Sequence, residues 1–147
     1  MAHVRKSIRD NIKTTLTGLT TTGSNVFASR VYPIGQAKLP GIILYTESES
    51  TAYLSMRPPR TQQKTPTVTA EIYVSGVANY DDTLDQICSE IEAALYTDIT
   101  RGGFARDTKV VSFASGFSGD GDQPVAYAGI NIQVDYVTIE GNPEVSA

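Results

Sequence analysis

Two stretches of strict alternation restrict this chain more than anything else in it. From Thr67 to Gly76, Val68, Ala70, Ile72 and Val74 alternate with Thr67, Thr69, Glu71 and Tyr73. From Ala126 to Ile139, Ile130, Ile132, Val134, Tyr136 and Thr138 alternate with Asn131, Gln133 and Asp135. Successive side chains of a strand point to opposite faces, so each stretch carries one core face and one wet face. A sheet made of such strands has to be roofed on its apolar side. The sequence supplies two roofing elements. Val4, Ile8, Ile12, Leu16 and Leu19 recur at helical spacing, with Arg5, Lys6, Arg9 and Lys13 on the other sides. Leu84, Ile87, Cys88, Ile91 and Leu95 form a second stripe over roughly 81–97. Both periods predict amphipathic helices.

The remaining elements follow from punctuation. The first helix ends near Gly18 or in the Thr-Thr-Thr-Gly stretch to Gly23, because β-branched threonines weaken a helix. Val26 to Tyr32 reads as a strand that Pro33 ends, since proline has no amide hydrogen for a ladder. Gly41 to Thr46, with Ile42, Ile43, Leu44 and Tyr45 in a row, reads as a buried strand. Asn79 or Asp81 caps the second helix, and Asp81, Asp82 and Asp85 suit the positive end of its dipole. Lys109 to Phe117, through Val111, Phe113 and Ser115, is a further strand. The turn Ser118-Gly119-Asp120-Gly121-Asp122 joins it to the last strand as a hairpin.

The expected fold class is α/β in the α+β sense: a mixed, largely antiparallel sheet of about five strands with two helices packed on one face, in the order α-β-β-β-α-β-β. The chain of 147 residues suits a single domain over 1–147. Residues 47–66, with Pro58, Pro59 and Pro66, are long for a structureless connection. They form either a mobile loop or an extended hairpin arm that orders on a partner, anchored by Tyr53, Leu54 and Met56. Residues 141–147 read as a flexible tail.

Catalytic chemistry finds little to stand on. His3 is the single histidine and lies next to the start of the sequence, away from any orienting acid. Cys88 is the single cysteine and falls on an apolar stripe, so it reads as core and excludes an internal disulfide. A lone cysteine suits a reducing compartment. Asp120 and Asp122 lack the further ligands and closing glutamate of a calcium loop. Gly116 to Gly121 lacks the lysine and following helix of a phosphate loop. The Glu90/Glu92 and Asp81/Asp82/Asp85 groups fall on a solvated helix face. No catalytic residue, metal ligand or cofactor is expected, nor a secretory signal or membrane span.

Charge is where the sequence speaks of partners. Residues 1–66 carry nine Lys/Arg against three Asp/Glu, and residues 67–147 carry three against thirteen. Such segregation arises by chance, or it gives copies of the chain unlike faces that meet head to tail. Arg57, Arg60 and Lys64, interleaved with Tyr53, make the most prominent basic cluster. It suits either phosphate contact with a nucleic acid or docking on an acidic neighbouring subunit.

The succession of elements resembles a known family. The opening VRKSIRDNIKTTLTGLTTTGSNVFASRVYPIGQAKLPGIILYT, the helix DDTLDQICSEIEAAL and the closing GDGDQPVAYAGINIQVDY are similar to the tail terminator (minor tail protein U-like, tail completion) proteins of long-tailed bacteriophages. The likeness runs in order over roughly residues 4–138, and residues 47–66 are its least typical part. It implies a structural virion protein without enzymatic activity, assembled in the host cytoplasm, with another head–tail connector or tail-tube component of related fold as the alternative. Six copies would form a ring capping the head-proximal end of the tail tube. Its partners would be further copies of itself, the tail tube protein and a head-completion or neck protein, with DNA passing through without sequence-specific binding. The subunit interface expected from the charges joins Tyr53, Arg57, Arg60 and Lys64 of the arm to Asp81, Asp82 and Asp85 of the next copy. Arg5, Arg9 and Lys13 of the first helix form a second surface.

Overall fold

Hydrophobic burial places all the stripes of the sequence around one layer. In the computed structural model, which describes residues 3–23, 25–28, 40–75, 79–118 and 125–145, the elements run α1 (Val4–Leu16), β1 (Val26–Ala28), β2 (Gly41–Tyr53), β3 (Thr61–Ser75), α2 (Tyr80–Tyr96), β4 (Asp107–Ser118) and β5 (Val125–Ile139). This is the α+β fold expected from the sequence. The five strands form one sheet in the order β1-β2-β3-β5-β4. β1 runs parallel to β2, and every other neighbour is antiparallel.

Both helices lie on one face of the sheet. Val4, Ile8, Ile12 and Leu16 of α1 and Leu84, Ile87, Ile91 and Leu95 of α2 are buried. They pack in one cluster with Ile42 and Leu44 of β2, Val68 to Val74 of β3 and the even-numbered residues Ala126 to Tyr136 of β5. Each buried Val, Leu or Ile among them contributes about 1.5–3 kcal/mol. α1 covers β1 and β2, whereas α2 covers β3 and β5 and reaches the rim of β4. The opposite face of the sheet carries polar pairs, among them Tyr45 and Tyr73 donating to Glu71 and Thr69 donating to Asn131.

The stretch at 47–66 is the distal half of the β2–β3 hairpin, turning only over residues 54–60. A bulge between Thr46 and Ser48 rotates β2 by one residue, so Glu49, Thr51 and Tyr53 come to share a face with Lys64 and Gln62. β5 continues alongside, pairing Thr61 with Ile139. Pro66 is accommodated because Thr65 and Pro66 fall in a gap of the β3–β5 register, where no ladder hydrogen bond is demanded of it.

Other boundaries move for identifiable reasons. Leu19 leaves the first helix, which ends at Leu16, and sits half-buried in a turn bridged to Gly23. Val111 leaves the alternation of β4, because a bulge between Val110 and Ser112 turns it outward, while Phe113 still faces α2. Residues 141–145 turn back, and the Pro143 carbonyl accepts a hydrogen bond from the Val4 amide at 3.0 Å. The strand expected over 29–32, the turn at 119–122 with Asp120 and Asp122, and residues 146–147 lie outside the described residues.

Candidate assembly interface

The helical layer is split by charge. The sequence of α1 holds Arg5, Lys6, Arg9 and Lys13 against Asp10 alone. That of α2 holds Asp81, Asp82, Asp85, Glu90 and Glu92 and no cation. Since α1 covers the β1 side of the sheet and α2 the β4 side, the formal charge of the helical layer is positive toward one side and negative toward the other. The +/− asymmetry of the sequence therefore has a spatial counterpart, arranged across the molecule. Asp81, Asp82 and Asp85 are all exposed.

The arm cations are not equivalent. Lys64 is on the helix side of the sheet with only 15% of its side chain exposed, 3.8 Å from Glu49. Glu49 also takes Arg5 at 3.0 Å and the Tyr136 hydroxyl at 2.8 Å. Tyr136 is fully buried, and burial first, then this hydrogen bond, push its phenol up. Arg60 places Nη1 at 3.1 Å from both Glu140 oxygens and its guanidinium 5.8 Å from the Tyr53 ring centre. Arg60 and Lys64 are thus tied to carboxylates of their own chain. Arg57, at the exposed turn, has no ion pair among the described residues. Arg9 donates to Thr46 at 3.2 Å, so Arg5 and Arg9 both join α1 to β2, leaving Lys13 in the last turn of the helix.

Around Arg57 the hairpin turn is apolar. Tyr53 and Leu54 are more than half exposed, and Met56 is 94% exposed. Single exposed apolar residues are ordinary, but three beside one unpaired cation form a knob.

The complementary concavity lies on the acidic side. A groove of about 250 Å³ runs between α2 and β4, lined by Asp85, Cys88, Ser89, Glu92, Val110, Phe113 and Ile130. It exists because β4 is the last strand of the sheet and α2 reaches only its inner side, leaving Phe113 49% exposed. Phe117, further along β4, stacks on Tyr80 at 5.1 Å. Cys88, which the helical spacing assigns to the core, is half-buried at the groove floor. Burial, reinforced by Asp85 and Glu92, pushes its thiol up to about 11, so it is protonated at neutral pH. Sequence periodicity did not disclose this groove. Its signals were two phenylalanines, 113 and 117, on a strand whose edge position depends on topology.

His3 is the N-cap of α1: its Nδ1 accepts the Arg5 amide at 3.0 Å. Burial and the Arg5 charge hold its pKa below the ordinary value. Among the described residues no His, Cys, Asp and Glu gather into a metal-binding group, and no helix is long and apolar enough to cross a membrane.

No family model matches the chain. No curated protein matches it either. Among solved structures, a chain of the virion of a native gene transfer agent particle aligns with a TM-score of 0.36 and 12% identity, over 90% of this chain and 92% of that one.

Proposed function

We propose that this protein is a structural component of a phage tail, a terminator that closes into a ring at the head-proximal end of the tail tube. The observation that carries the proposal is the placement of positive and negative formal charge on opposite sides of one helical layer. Such a subunit meets its own kind through two different surfaces. A contact of that sort propagates around a circle or along a filament, and closes when the rotation between neighbours divides a full turn. The order of helices and strands over residues 4–138 supports the tail terminator reading within this class, and with it the expectation of six copies. In that role the ring halts tube growth and offers its other face to a head-completion protein, and DNA crosses the lumen without being read.

The nucleic-acid reading of the arm has less support. Phosphate binding needs accessible cations, and carboxylates of the same chain occupy Arg60 and Lys64.

Negative-stain microscopy and sedimentation of the purified protein, alone and mixed with its tail tube protein, test the proposal. Closed rings, formed spontaneously or on tube ends, are the expected result. A chain that stays monomeric beside its tube would sink it.

A further inference from the structure

The knob and the groove belong to distant parts of the subunit. The groove floor is at the level of Ile130, which pairs with Ala70, whereas the hairpin turn begins beyond Thr61, nine positions along the same strand. At about 3.3 Å per residue the turn stands roughly 30 Å from the groove level, so the two do not meet within one chain.

We propose that the hairpin turn of one copy seats in the α2–β4 groove of the next, with Leu54 and Met56 against Cys88, Val110, Phe113 and Ile130, and Arg57 between Asp85 and Glu92. This rests on the self-assembly proposed above and specifies its contact. The chemistry of the groove selects this occupant. The groove has an apolar floor and a rim with two carboxylates that have no ion pair among the described residues. It therefore fits a surface that is apolar and cationic together. The outward side of α1 offers cations and threonines but no large apolar group. Tyr96, Ile99 and Phe104 offer apolar surface beside the acid Asp98, the wrong sign for this rim. Among the described residues, the hairpin turn sets three large, well-exposed apolar side chains beside an exposed cation that has no ion pair. Methionine suits such a role, because its unbranched, polarizable side chain fits an irregular hollow. A charge pair shut in at the rim fixes orientation and excludes wrong partners.

Cys88 makes the inference directly testable, because it is the single cysteine and lines the groove. Met56→Cys places a second thiol on the knob, at a site exposed enough to leave folding alone. The assembled protein is oxidised with copper phenanthroline and run on a non-reducing gel. The expected result is a ladder of covalent dimers and higher multimers, abolished in Met56→Cys/Cys88→Ser. Tyr96→Cys, 82% exposed, is the collision control and should remain a single band. Assemblies seen by light scattering without a ladder overturn this contact and leave ring formation standing. Equal ladders from the control, or a ladder that survives Cys88→Ser, also overturn it. A chain that neither assembles nor cross-links overturns the contact and the ring together.

Discussion

At the scale of the residue, the decisive side chains are those at the junction of α1 with the hairpin. Glu49 is 11% exposed, pairs with the charges of Arg5 and Lys64 and accepts a hydrogen bond from Tyr136 at once. Removing one member of a nearly buried charged network leaves the others desolvated and unpaired. Glu49→Ala should lower stability by about 2–3 kcal/mol, read as a reduced urea midpoint with an unchanged slope. Glu49→Gln, which can still accept from Tyr136, should lose less. His3 gives the same junction a pH dependence. Its folded-state pKa lies below the ordinary histidine value of about 6.5, from burial first and the Arg5 charge second, against the opposing pull of Glu49 and Glu144 and with the help of Lys64. The unfolded chain therefore takes up the proton first. The contribution of the cap is complete above pH 6.5 and is lost as pH falls below it. Asparagine at this site caps without titrating. The drop in Tm between about pH 7.5 and about pH 5.5 should accordingly be shallower in His3→Asn than in the parent chain. Parallel curves would dismiss His3 as the titrating group.

At the scale of the element, α2 depends on a residue that no periodicity marks. Arg101 is fully buried, at positive φ, and its guanidinium donates to the Leu95 carbonyl at 2.7 Å, to the Asp98 carbonyl and to Thr15 of α1. A cation at the negative end of the helix dipole satisfies carbonyls that have no intrahelical partner. Arg101→Ala should cost about 3 kcal/mol, and hydrogen exchange should show the last turn of α2 opening ahead of the sheet. What could be read in advance divides along the same line. The stripes of α1 and α2 and the alternation of β3 and β5 were legible, because burial on one side forces a period. The distal hairpin was not. Past the bulge at Glu47, the strand residues Glu49, Thr51 and Tyr53 face the helix side beyond the reach of the core, so both faces are polar and no hydrophobic period remains. Pro66 added a false break. The groove was illegible for a different reason: Val110, Phe113 and Ile130 meet Cys88 only through the strand order, which puts β4 at the edge. The charges that frame it could be counted in the sequence, but the pairing of Arg60 with Glu140, eighty positions apart, could not be foreseen.

At the scale of the whole molecule, a contact between unlike surfaces has a consequence that contact between like surfaces lacks. Arg57→Glu puts an acid on the knob, and Asp85→Lys with Glu92→Lys puts cations on the groove rim. Either change by itself sets like charges together at every junction. Each variant alone should therefore associate about 10- to 100-fold more weakly than the parent chain. Folding should be untouched, because all three positions are exposed on the surface. Mixing the two variants in equal amounts restores every junction if they alternate. The reversed knob then enters the reversed groove, and the parental knob of the second variant enters the parental groove of the first. Alternation around a closed ring requires an even number of copies, and six satisfies it. Native mass spectrometry of the mixture should thus show closed species with equal numbers of each variant and no odd-numbered ones. A mixture that recovers only dimers would mean that the two surfaces meet reciprocally in pairs, and a mixture that recovers nothing would mean that Arg57 and the α2 acids do not meet at all.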